Sequence, residues 1–196
     1  SAFALYLTGV LLAIFIAVKI GQVLANPVTA LFNLMPEKAA QYLVFIISVL
    51  LGGIIAAEVS FLFGLPVLTL GSDYFGIATL GFTIIVKVLL DNSDTMLGFD
   101  EMKGARGMIG IPKITTWAAV FVFLLVTIIV IRNLLNSSYG RAIVSIREDE
   151  TAATAMGIDG AFYKTITFVI GSFFGGIAGG LYAHINGFLH PNTFSF

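Results

Sequence analysis

The chain has 196 residues, of which 58% are hydrophobic and 11% charged. A soluble domain carries about 25% charged residues, so the composition places this chain in a membrane. A formal net charge of −1 leaves no basic footprint for nucleic acid, and the lack of cysteine excludes disulfides, zinc–thiolate sites and cysteine nucleophiles.

A spanning helix needs about 20 mostly apolar residues, and five runs in the chain meet that measure. The first is Ala2–Ile20, with Lys19 placed to snorkel to the interface. No basic flank precedes it, which argues against a signal peptide. The opening at Ser1 and the apolar end at Phe196 lead us to expect the middle of a longer polytopic protein, one transmembrane domain over residues 1–196. Gly21–Lys38 reads as a connector, because Asn26-Pro27 and Pro36 disfavour helix.

The second run is Gln41–Phe63, where Gly52, Gly53, Ala56 and Ala57 permit close helix contact. Glu58 near its end is either an interfacial carboxylate or a polar group lining a path through the bundle. Gly64–Ser72, GLPVLTLGS, is too short and too broken to span, and is expected as a broken or re-entrant segment. Asp73 stands where an acid caps a helix start, and the third run, Tyr74–Leu90, follows. Thr79, Thr83 and Lys87 are its polar residues, and with Glu58 and Asp73 they are the candidates for a solute path. Asp91–Thr115 is a charged, turn-rich loop. The fourth run, Thr116–Leu135, carries Trp117 at an interfacial position and Arg132 towards its other end.

Ser137–Ile158, SSYGRAIVSIREDETAATAMGI, is the most charged helix-prone stretch. A charge at the bilayer centre costs roughly 2.5–3.5 kcal/mol on insertion scales, so this stretch faces water or a partner. Tyr139-Gly140 reads as a break before it and Gly157 as a stop after it. Between them the residues predict one amphipathic surface helix of about four turns. Ile143, Ile146, Ala153 and Met156 would lie on one side, with Glu150 intruding. Arg141, Arg147, Glu148, Asp149 and Glu150 would offer charged contacts, and Ala152 and Ala153 would let another protein approach the backbone. A solvated loop with no partner is the plainer reading.

The fifth run, Phe162–Ile185, repeats glycine at Gly171, Gly175 and Gly179 and again at Gly176 and Gly180, a pattern expected for helix packing. His184 and His190 near its end read as interface residues, with no carboxylates at metal spacing beside them. The chain contains no G-x-x-x-x-G-K-[ST], H-E-x-x-H or G-x-S-x-G motif. We therefore expect no catalytic, cofactor or metal site, and a carrier, channel or non-catalytic membrane subunit remains.

The segment GRAIVSIREDETAATAMGI, with YKTITFVIGSFFGGIAGGLYAHINGFLHPNTFSF after it, resembles the permeases of branched-chain amino-acid ABC transporters, the M-type subunit more than the H-type. FGLPVLTLGSDYFGIATLGFTIIVKVLL is similar to that family's short helix, turn and helix, and GARGMIGIP to its outer loop. Two departures are visible. Leu70-Gly71-Ser72-Asp73 lacks the family's common basic residue before the turn, and Thr83 stands where an acid is common. The resemblance implies an all-α polytopic bundle in the inner (cytoplasmic) membrane, with a cytoplasmic coupling helix. It also implies a second permease subunit, two cytoplasmic ATPase subunits and an extracytoplasmic solute-binding protein. Glu150, Ala152, Ala153 and Gly157 are similar to the importer coupling motif Glu-Ala-Ala, three residues, Gly, with Thr151 inserted.

Basic residues oppose that orientation. The implied inner side holds Arg132, Arg141, Arg147 and Lys164; the outer side holds Lys19, Lys38, Lys87, Lys103, Arg106 and Lys113. The implied solute is a branched-chain or related hydrophobic amino acid. A permease for urea or short amides, an ion-coupled secondary carrier and a membrane scaffold are the alternatives.

Overall fold

The computed structural model describes residues 37–68, 72–92 and 106–194. The run Ala2–Ile20, nearly all of the Gly21–Lys38 connector and residues 93–105 lie outside the described residues. Within them the chain is a helical bundle of α1 (Glu37–Leu68), α2 (Ser72–Asp91), α3 (Trp117–Asn136), α4 (Ser138–Glu148), α5 (Glu150–Ala155) and α6 (Gly160–Asn186). The long helices α1, α2, α3 and α6 are each apolar enough to cross a membrane. The architecture is an all-α, multi-pass membrane bundle.

The boundaries follow from local chemistry. Thr116 caps α3 by accepting from the Ala119 N–H, and Asp159 caps α6 by accepting from the Phe162 N–H. Helix α1 does not stop at Phe63. It continues through Gly64 and Pro66 to Leu68, so residues 64–68 of the expected broken segment are helical. Hydrocarbon offers the backbone no other hydrogen-bond partner, which favours prolonging the helix. Residues 69–71 of that segment are outside the described residues. Helix α2 starts at Ser72, which puts Asp73 in its first turn rather than before it; an acid there still suits the helix dipole.

The centre of the bundle is an antiparallel pair. Phe45, Val49 and Gly53 of α1 lie against His184, Gly180 and Ile177 of α6, in reversed order along the two chains. Phe45, Val49, Ile177 and Leu181 form the buried core, and Phe123 of α3 packs on it. One end of the bundle is closed by a short antiparallel ribbon, β1 (Met108–Ile109) on β2 (Phe188–Leu189). There His184 Nδ1 lies 2.9 Å from the Pro112 carbonyl oxygen, and its ring meets Phe45 edge-on at 5.0 Å. Helices α4 and α5 lie at the opposite end, where α3 finishes and α6 begins.

Candidate functional site

The charged stretch folds as two helices, not one. Asp149 leaves helical geometry at φ −155°, ψ 109°. Its carboxylate accepts from the Thr151 N–H at 2.8 Å and the Ala152 N–H at 3.0 Å. A short acidic side chain offers the backbone this alternative to continued helix, and here the alternative prevails. The break resets the phase of the apolar face. Ile146 and Ala153 are buried, but Met156 is 83% exposed instead of sharing their side. The break before the stretch also differs from expectation. Ser137 ends α3 and caps α4, whereas Gly140 lies inside α4, buried where a side chain would strike the Leu134 and Leu135 carbonyls.

Gly157 ends the element as its position suggests. It adopts φ +85°, a left-handed value costing other residues roughly 1–2 kcal/mol. Its N–H donates to the Thr154 carbonyl at 2.9 Å, and the Ile158 N–H donates to that of Ala153 at 3.1 Å. This paired closure satisfies the free carbonyls at the helix end.

The charges are distributed unevenly. Arg147 pairs with its neighbour Glu148 at 2.6 Å, both side chains largely in solvent. Arg141 donates to the Asn136 carbonyl and the Ser138 hydroxyl, holding the α3–α4 corner. Glu150 reaches Lys164 of α6 at 2.6 Å. Ala152 is exposed and Ala153 buried, so the two alanines present different faces.

The glycine stripes of α6 divide in the same way. A Cβ on Gly176 would lie 2.6 Å from the Gly52 carbonyl oxygen and 2.7 Å from the Ala56 Cβ, and one on Gly180 would meet Val49 at 3.4 Å. Gly171, Gly175 and Gly179 would meet nothing within 4 Å among the described residues.

The solute-path candidates do not converge. Glu58 is exposed, Lys87 is half-buried, and the Thr83 hydroxyl donates to the Thr79 carbonyl. Thr79 alone among the candidates with described side chains lines a chamber of about 500 Å³ between α1, α2 and α6. Two residues that the sequence did not single out stand in the same wall. Ser60 of α1 and Ser172 of α6 join hydroxyls at 2.6 Å, and Ser60 is only 7% exposed. Small polar residues inside apolar runs were the signal, but serines 112 positions apart give no hint of pairing. A second cavity, a groove of about 640 Å³, lies where α4 meets α6, with Ile143, Ile146, Arg147 and Lys164 on its walls. No cluster of metal-ligating side chains occurs among the described residues.

Comparison with known proteins fits this arrangement. Residues 1–196 match the family model described as branched-chain amino acid transport system / permease component. The high-affinity branched-chain amino acid transport system permease proteins LivM of Salmonella typhimurium and Escherichia coli are each 32% identical over 180 residues. Both alignments cover 74% of this chain and 41% of the relative. A probable branched-chain amino acid transport permease protein LivM of Methanocaldococcus jannaschii is 30% identical over 152 residues, covering 71% of this chain and 42% of that protein. The aligned region is thus less than half the length of the curated relatives. No solved structure matches. With the family model matched from end to end, the chain belongs to the branched-chain amino acid transport permease family.

Proposed function

We propose that this chain is a membrane subunit of an ATP-binding-cassette importer. It would carry branched-chain or related hydrophobic amino acids across the inner (cytoplasmic) membrane, with ATP hydrolysed by separate subunits. The observation that supports this most directly is the pair α4–α5, an exposed charged element closed at Gly157 and tied to α6 through Glu150 and Lys164. A subunit driven by another protein's motion needs a surface part that is stiff and joined to a span. The cap at Asp149 orders the joint between α4 and α5, the closure at Gly157 ends α5, and the ion pair ties α5 to α6.

On this reading the ATPase subunits seat against α4–α5, and movement passes through the Glu150–Lys164 pair to the start of α6. Helices α6 and α1 then move together, since Gly176 and Gly180 hold them at backbone contact. The second permease subunit and the extracytoplasmic binding protein complete the assembly. The mostly apolar chamber walls suit a solute with an aliphatic side chain.

The test is uptake by the assembled transporter in vesicles of cytoplasmic-membrane lipid. Labelled leucine, isoleucine and valine should enter only with ATP on the side of the ATPase subunits and with the binding protein present. Uptake of urea in their place would move the chain to the amide reading. Uptake driven by an ion gradient without ATP would make it a secondary carrier.

A further inference from the structure

The groove beside α4 and the chamber between α1, α2 and α6 share two wall residues, Phe168 and Ser172. One cavity begins at the charged surface element and the other lies between α1, α2 and α6, and they meet at those two residues. We infer that the two are one solute path, and that the Ser60–Ser172 hydroxyl pair is the polar contact for the amino acid inside it. This rests on the transport function proposed above.

The chemistry of the walls carries the inference. The chamber is lined by apolar side chains such as Ile55, Val59, Phe63 and Phe82, and none of its lining residues is ionisable. A hydrophobic side chain fits there, but the polar head of an amino acid needs partners. Each serine hydroxyl offers one donor and two acceptor positions. Thr79 is less free, because its hydroxyl already lies within bonding distance of the Phe75 and Gly76 carbonyls. The serines bond to one another and can exchange that bond for bonds to a solute. Gly175, one turn after Ser172, has open space where a Cβ would stand, so the chamber reaches the α6 backbone there. Phe168 stands between the two cavities, edge-on to Phe75 with ring centroids 6.2 Å apart. It is placed as the partition that a moving α6 would carry aside. At the surface end, Arg147 and Lys164 line the groove, each paired with a carboxylate, Glu148 and Glu150.

These 196 residues hold no cysteine, so an introduced thiol can be compared with the unsubstituted transporter as its background. Ser172→Cys in the assembled transporter should react with a small water-borne thiol reagent, and saturating leucine should slow that reaction about tenfold. Ser60→Ala and Ser172→Ala should each raise the KM for leucine uptake by about tenfold, the equivalent of roughly 1.4 kcal/mol. Assembly should stay close to that of the unsubstituted transporter. A serine pair that serves only to glue α1 to α6 would give a different pattern, with lower yield of assembled protein and no change in KM. If the unsubstituted transporter takes up leucine but leucine does not protect Cys at position 172, or the alanine variants keep their KM, the path is overturned and the function stands. If the unsubstituted transporter takes up no branched-chain amino acid, the functional reading fails and this assignment fails with it.

Discussion

Glu150 and Lys164 form an ion pair of 2.6 Å across the turn at Gly157, joining α5 to the beginning of α6. Both side chains keep contact with water, at 57% and 34% exposure. Pairs of that kind add little to stability, typically 0–1 kcal/mol. Its consequence is positional: the charged surface element and a span share one fixed point. Glu150 therefore has a partner within its own chain.

Asp149 should control whether α5 exists as a separate helix. Replacing it with Ala removes the acceptor for the Thr151 and Ala152 N–H groups, a loss of about 1 kcal/mol for a capping side chain. Hydrogen exchange at residues 151–155 should then quicken several-fold while α4 keeps its protection. Unchanged exchange at Thr151 and Ala152 would show that the cap does not hold the helix.

Gly157→Val should strain the end of α5. The φ of +85° is one that a β-branched residue adopts poorly, and the cost should be roughly 1–2 kcal/mol. Melting of the detergent-solubilised protein should fall by a few degrees. Gly157→Asn should lose less, because Asn tolerates left-handed geometry. Equal melting for both variants would contradict the assignment of strain.

The two glycine stripes of α6 should respond differently to substitution. Gly176→Leu places a side chain where the Gly52 carbonyl and the Gly53 Cα already stand. Overpacking of this kind costs about 1–3 kcal/mol or more, and assembled protein should be lost. Gly179→Ala meets open space among the described residues and should leave assembly intact. Fluorescence-detected size exclusion compares the two directly, and equal yields would mean that Gly176 is not at the contact.

Long apolar runs declare themselves, because a span must be apolar throughout; Thr116–Leu135 differs from α3 by one residue at each end. Gly157 was legible as a stop, since only a few residues accept its geometry. The break at Asp149 was not, because IREDETAATA is a run of acceptable helix formers and a capping carboxylate is seen only once the chain has turned. A four-residue glycine repeat marks helix contact but not which stripe makes it; that depends on the rotation of α6 against α1. The Ser60–Ser172 pair joins two distant spans, and a single sequence holds no record of that proximity.

On the proposed function, α4–α5 transmits ATP-driven motion to the spans through Glu150 and Lys164. It is tested most directly by measuring ATP hydrolysis and leucine uptake together in reconstituted vesicles for Glu150→Lys, Lys164→Glu and the two combined. Each single reversal should cut uptake at least tenfold while the ATPase subunits stay bound, and the combined exchange should restore most of it. Full uptake by Glu150→Lys alone would exclude that route and leave the charged stretch a solvated surface.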